Sequence, residues 1–203
     1  MNTNIITLMR HGQVAGSAGL YGHTDIALSE QGYRAAMARL QQLHQAPPIT
    51  RIISSPLVRC QQVAREFSIR EQIPLQLDND FMEMHFGHWD GMAFSDVQDW
   101  QALEAFWDKP AEAAAPGGET LAQFAGRVIN AWDRLLDENY SGHQLLLCHG
   151  GVIRIVIAHL LQLDWRNAAL FRQLNIDYTS HTRILLADHP HARPVIQWIG
   201  ATH

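Results

Sequence analysis

The sequence predicts an α/β fold: a three-layer α/β/α sandwich around a mostly parallel central sheet. Three observations predict it. Short apolar runs alternate with amphipathic segments along the chain, the order expected of repeated β-then-α units. The runs are apolar throughout, as strands covered on both faces are. Two of them end in a histidine followed by glycine, and in such folds ligands bind outside the carboxyl ends of the strands.

Taken in order, "NIITLM" (4–9) reads as a buried strand that runs into Arg10, His11 and Gly12. A Gly/Ser-rich loop leads to "ALSEQGYRAAMARLQQLHQ", where Tyr33, Ala36, Met37, Leu40 and Leu43 recur at helical spacing. Ser29 is the expected N-cap, and Pro47 and Pro48 stop the helix. "RIIS" (51–54) is a second strand. In "SPLVRCQQVAREF" the pattern predicts Ser55 as cap and Pro56 at the first helical position, where a missing N–H costs nothing.

"LQL" (75–77) reads as a short edge strand. Residues 81–119 are less regular, hold three of the six tryptophans and end in Pro-Gly-Gly-Glu. They are expected to form a lid-like excursion or pocket wall, with a short helix around 95–107. "TLAQFAGRVINAWDRLLDE" is amphipathic through Leu121, Phe124, Val128, Trp132 and Leu135. "QLLLCHGGVIRIVIAHLL" (144–161) supplies a strand and a helix, and "TRILLA" and "PVIQWI" close the chain as strands. With no internal repeat or interdomain linker, residues 1–203 are expected to form one domain.

Composition excludes several function classes. The chain has 203 residues, 47% hydrophobic and 17% charged, the profile of an ordered globular protein. Its formal net charge of −5 argues against a broad nucleic-acid surface, though a few arginines can still be concentrated in one pocket. Two cysteines do not make a disulfide framework, so reduced thiols in a cytoplasmic setting are expected. "MNTNIITLMRHG" does not read as a signal peptide, and no stretch approaches the roughly 18 apolar residues of a membrane span. The twelve histidines are scattered, and "DHPHARP" reads as a polar turn. No zinc-ligand spacing appears, so neither a metal nor another cofactor is expected. The oligomeric state is left open.

One stretch has two readings. Cys148 and Arg154 in "CHGGVIR" have the C-x5-R spacing with which cysteine phosphatases hold phosphate around a thiolate. Alternatively Cys148 is core packing and His149 is the chemical residue. The second reading gains weight beside "RHG", because it pairs two histidines at strand ends. "SSPLVR" adds Arg59 one turn into a helix, and "ME" adds Glu83 beside an aromatic-glycine loop.

Taken together, "LMRHG", "YGHTDIALSEQG", "SSPLVRCQQVA", "MEMHFGHWDG", "PGGE" and "CHGGVIR" resemble the histidine phosphatase superfamily, the phosphoglycerate mutase-like proteins, over nearly the whole chain. The shape of "EMHFGHWDG" with "PGGE" is most similar to the branch containing α-ribazole-5′-phosphate phosphatases, which act late in cobalamin assembly. The resemblance implies a phosphomonoesterase acting on a small-molecule phosphate ester. His11 would be the nucleophile that forms a phosphohistidine, and Arg10 and Arg59 the phosphate-binding arginines. His149 would donate to the phosphoryl group, and Glu83 would be the acid–base carboxylate. Asp80 and Asp90 lie in the same region and stay open as alternative acids. Ser17, Tyr21 and Gly22 fall on the family's substrate-side loop, and Gly151 could offer its N–H to phosphate at a helix N-terminus.

Gln13 and Val14 replace the residues that usually follow the nucleophile motif. Ser17 stands where Asn is common, and Met82 where an arginine usually precedes the carboxylate. These departures bear on pocket shape and substrate. Three rivals remain. A phosphoglycerate mutase or broad sugar phosphatase would share the pocket, although residues 88–118 hold only Lys109 as a basic group besides histidine. A cysteine phosphatase would be built on Cys148. A non-catalytic phosphate-binding module would keep the pocket without the chemistry.

Overall fold

The computed structural model describes residues 4–45, 47–186 and 193–203. Its six strands are β1 (Asn4–Arg10), β2 (Ile49–Ser54), β3 (Leu75–Leu77), β4 (His143–Cys148), β5 (His181–Leu186) and β6 (Val195–Ala201). They form one sheet in the order β3-β2-β4-β1-β5-β6. The first four are mutually parallel, while β5 and β6 join antiparallel, so the sheet is mixed with a parallel core. The helices are α1 (Glu30–Gln45), α2 (Val58–Glu71), α3 (Trp100–Asp108), α4 (Leu121–Asp137), α5 (Gly150–Leu160) and the single turn α6 (Ala169–Arg172).

Side chains of successive strand residues enter opposite faces. Ile6, Leu8, Leu146 and Cys148 join the core beneath α4 and α5, and Met9, Leu145 and Leu147 join the one beneath α1 and α2. Three layers result, as expected from strands that are apolar on both faces. Helix α4 buries Leu121, Phe124, Val128, Trp132 and Leu135 at helical spacing, and its start is fixed by a Thr120–Gln123 capping box.

Ser29 does cap α1, with its Oγ accepting from the Gly32 N–H at 3.0 Å. The cap expected at Ser55 is a correction. Helix α2 begins three residues later, with Leu57 as N-cap and no side-chain cap bond. The Ser55 hydroxyl lies instead 2.8 Å from Nε2 of His149. Locally the hydroxyl accepts only a long bond from the Leu57 N–H, at 3.4 Å, so its shorter contact is tertiary.

The irregular segment expected at 81–119 begins at the end of a 3₁₀ turn at Asn79–Phe81 and contains single 3₁₀ turns at Gly87–Trp89 and Phe94–Asp96, then α3. Of "DHPHARP", residues 188–192 lie outside the described residues, as does the last residue of "TRILLA". Among the described residues, no helix is long and apolar enough to cross a membrane. No group of three or more His, Cys, Asp or Glu among them is arranged to hold a metal ion.

Candidate active site

Three neighbouring parallel strands deliver the site. Residues Arg10 and Cys148 pair directly across β1 and β4, so His11 and His149 leave the sheet side by side. The His11 N–H donates to the Cys148 carbonyl at 3.1 Å, and the two imidazoles meet edge-on with centroids 5.1 Å apart. Strand β2, on the other side of β4, feeds Arg59 in from the first turn of α2.

His11 is set up as a nucleophile. Its Nδ1 lies 2.8 Å from the Gly12 carbonyl oxygen. A carbonyl only accepts, so Nδ1 carries the proton and Nε2 keeps its lone pair. Burial, followed by the guanidinium groups of Arg59 and Arg10, pushes its pKa well below 6.5, so the ring is neutral at pH 7.

Arg10 donates one N–H to the Ile176 carbonyl at 2.7 Å and carries Tyr178 stacked 4.0 Å from its guanidinium carbon. Its Nε is buried and has no partner among the described residues. Burial lowers its pKa, against Tyr178, Glu83 and Asp177, which raise it.

Arg59 is fully buried and largely consumed by the protein. Its Nη2 donates to the carbonyls of Tyr21 (3.0 Å) and Gly22 (2.6 Å), its Nη1 to Thr24 (2.9 Å), and its Nε to His149 Nδ1 (3.3 Å). Of five N–H groups, one on Nη1 is left to meet a phosphoryl oxygen. Arg59 therefore gathers the 21–24 loop and lends positive charge to the cleft. Accepting from Arg59 makes His149 Nδ1 the unprotonated nitrogen, with Nε2–H directed at Ser55. Burial and then Arg59 hold its pKa well below 6.5. Donation from His149 to a phosphoryl group would need a proton on Nδ1.

Glu83 faces the cleft with both carboxylate oxygens fixed. Oε1 accepts from the Met84 N–H and Oε2 from the Gly151 N–H, each at 3.0 Å. This corrects the expectation for Gly151: its N–H, in the first turn of α5, holds the carboxylate and is not free for phosphate. A Cβ at position 151 would overlap Glu83 Oε1, so the close approach requires glycine.

The alternative acids have other work. Asp80 is paired with Arg134 at 2.8 Å. Asp90 accepts four backbone N–H groups, from Gly22, His23, Thr24 and Phe86, at 2.7–3.1 Å. Burial alone would raise its pKa, but the hydrogen bonds from Thr24, His23 and Phe86 outweigh it and hold the group ionised. It is a clamp that presents the 21–24 carbonyls to Arg59. Gly22 sits inside this clamp, where a Cβ would overlap the Met84 carbonyl. Tyr21 bonds through its hydroxyl to the Ser17 carbonyl at 2.8 Å, while its own carbonyl accepts from Arg59.

The thiolate reading fails on burial. Cys148 is fully buried, and desolvation, followed by Cys60, raises its pKa well above 9.0, leaving a neutral thiol. Burial likewise pushes Cys60 up to about 12.

Two residues that were not expected in the histidine site belong to it. Arg127 donates to the carbonyls of Asp80, Met82 and Glu83 at 2.7–2.9 Å, and forks onto Glu119, so it fixes the backbone that carries Glu83. The capping-box helix start and the "PGGE" glutamate were readable, but their meeting was not. Arg154, which the sequence left without a role, anchors its Nε on the Leu174 carbonyl at 3.0 Å and lines the cleft beside Arg10 and Glu83. Beyond them opens a cavity of about 220 Å³ walled by Phe86, Phe106, Trp107, Phe124 and Phe171.

The family model described as histidine phosphatase superfamily (branch 1) matches residues 6–198. A glucosyl-3-phosphoglycerate phosphatase from Mycolicibacterium vanbaalenii is 32% identical over 178 residues, covering 82% of this chain and 78% of the relative. An adenosylcobalamin/alpha-ribazole phosphatase from Salmonella typhimurium is 31% identical over 169 residues, covering 81% and 83%. In structure, Bacillus stearothermophilus YhfR superposes with a TM-score of 0.85 at 24% identity, covering 98% of each chain, a likeness of fold.

Proposed function

Because this chain belongs to the histidine phosphatase superfamily, we propose that it hydrolyses a small-molecule phosphate monoester through a phosphohistidine at His11, and that the substrate is α-ribazole-5′-phosphate. The observation that carries the catalytic reading is the neutral His11, whose Nε2 has no partner among the described residues, directly after Arg10, whose unpartnered Nε belongs to a side chain that lines one cleft with Glu83.

In the first step Nε2 attacks phosphorus in line and the ester P–O bond breaks. Arg10, with the remaining N–H of Arg59, offsets charge on the phosphoryl oxygens. Glu83 gives its proton to the departing alkoxide. In the second step the carboxylate takes a proton from water, whose oxygen attacks the phosphohistidine, releasing phosphate and restoring His11. General acid–base assistance of this kind contributes about 10²–10⁴ in rate. His149 and Arg59 brace each other, and burial with the charges of Arg59 and Arg10 keeps His11 neutral.

The aromatic cavity supports the substrate. It lies on the Glu83 side, where the leaving group must sit, and its walls suit a flat apolar base stacked at ring separations typical of aromatic pairs. The segment 81–119 supplies Phe86, Phe106 and Trp107, and we read it as the lid that closes over that base. Little in this segment suits a carboxylated sugar phosphate: Lys109, its basic group besides histidine, bonds Glu112 at 3.1 Å. Comparing kcat/KM for α-ribazole-5′-phosphate, glucosyl-3-phosphoglycerate and 3-phosphoglycerate tests the assignment. A value for α-ribazole-5′-phosphate no better than the others defeats the substrate, while phosphate release undiminished in a His11→Ala variant defeats the mechanism.

A further inference from the structure

Arg154 has no part in the mechanism above, yet its position is costly. Burial lowers its pKa, with Glu83 raising it and Arg10 lowering it, and no carboxylate lies within ion-pairing distance among the described residues. A Cβ placed at Gly150 would stand 2.8 Å from Arg154 Nη1 and 3.6 Å from Arg10 Nε, so the two guanidinium groups converge over the start of α5. Among the described residues, Arg154 bonds only through Nε, to Leu174, and its Nη1 and Nη2 are left without a partner in a side chain that lines the cleft. Two partly buried cations that share one wall, with donors unpartnered among the described residues, call for oxygen acceptors from a ligand.

The side of the cleft decides which oxygens. Arg154 lines the cavity together with Glu83 and the aromatic walls, whereas His11, Arg59 and His149 do not, and Arg10, which ends β1 beside His11, also lines it. Accepting the phosphatase reading, we propose that Arg154 is a substrate-binding residue that recognises an oxygen acceptor on the leaving group close to the ester bond. Phosphoryl oxygens are then left to Arg10 and Arg59. The substrate class is thereby narrowed to esters of oxygenated alcohols, such as a sugar ring or a hydroxy acid, with a flat apolar end reaching the aromatic cavity. An alkyl or aryl phosphate without such an oxygen forgoes the contact.

The test compares Arg154→Gln and Arg154→Lys with wild type on benzyl phosphate, ribose 5-phosphate and 3-phosphoglycerate, with inhibition by inorganic phosphate as the probe of the phosphoryl pocket. Thermal midpoints of both variants check that the fold is kept, and the lysine variant carries the test if the glutamine variant does not fold. One charge-assisted hydrogen bond corresponds to a factor of roughly ten to a hundred. The expected result is that kcat/KM for an oxygenated ester falls by this factor relative to benzyl phosphate, mainly through KM, while inhibition by phosphate stays within about threefold. Selective loss on ribose 5-phosphate identifies hydroxyl or ether oxygens as the acceptors, and selective loss on 3-phosphoglycerate identifies a carboxylate. An equal fall on all three esters together with weaker phosphate inhibition would assign Arg154 to the phosphoryl group and overturn the proposal. Unchanged kinetics would also overturn it. If wild type releases phosphate from none of the esters, the underlying phosphatase reading falls first, and that failure is distinguishable from a failure of Arg154 alone.

Discussion

Replacing Asp90 by Asn changes one atom and should unfasten the loop that meets Arg59. In the native arrangement Oδ1 accepts from Gly22 and Thr24, and Oδ2 from His23 and Phe86. Whichever way the amide is turned, its NH₂ faces two N–H donors, so two charge-assisted bonds are lost. Such bonds are each worth about 1.5–3 kcal/mol when fully buried. Asp90 is only partly buried, so water recovers some of each, and about 2–3 kcal/mol in total is expected. For a chain of this length that corresponds to a fall in Tm of about 4–12 °C. Because the carbonyls of Tyr21, Gly22 and Thr24 would no longer be held towards Arg59, kcat/KM should fall roughly ten- to a hundredfold. Thermal unfolding followed by circular dichroism, with phosphate release assayed on the same samples, provides both numbers. A Tm within about 1 °C of wild type, with unchanged activity, would refute the clamp.

Gly151→Ala places a Cβ against Glu83 Oε1; hydrolysis of an alkyl phosphate should fall about 10²-fold, and equal kcat/KM in both proteins would argue against Glu83 as the acid. Cys148→Ser should keep most of its activity while losing about 1–3 kcal/mol in urea denaturation, the cost of a buried hydroxyl; a folded but inactive variant would revive the thiolate reading. Because His11 and His149 titrate well below 6.5, the acid limb of kcat/KM should lie below that pH, and full activity lost already at pH 6.5 would contradict a depressed His11. The same shifts, with His181 at about 4, mean that the unfolded chain takes up protons which the native chain refuses. Stability should therefore decline as pH falls below about 6.5, and a urea midpoint unchanged down to about pH 5 would show that these rings are not held neutral.

What could be read in advance follows from range in sequence. The strand-end histidines were legible because apolar strand, histidine and glycine are contiguous, and parallel pairing then sets His11 beside His149. Glu83 was legible only as one of three carboxylates in its region. What separates it from Asp90 is the number of backbone N–H groups aimed at each, a tertiary fact. Ser55 shows the limit of local rules: its position and the following proline suit a helix cap, yet a histidine 94 residues away in sequence claims the hydroxyl. Arg127 lies in an amphipathic pattern that also fits a surface residue. Arg154 was legible only through its spacing from Cys148, because its direction depends on the Leu174 carbonyl, which belongs to a connection with no sequence signal of its own. The antiparallel closure by β5 and β6 likewise depends on how the final segments return to the sheet.

The central claim is that His11 carries the phosphoryl group, and it is tested by quenching the enzyme in alkali during turnover and mapping the phosphorylated peptide by mass spectrometry. The expected result is an alkali-stable, acid-labile phosphoryl group on the peptide containing His11, absent from His11→Ala, which no longer turns over. A phosphoryl group found on Cys148, or turnover that persists in His11→Ala, would contradict it.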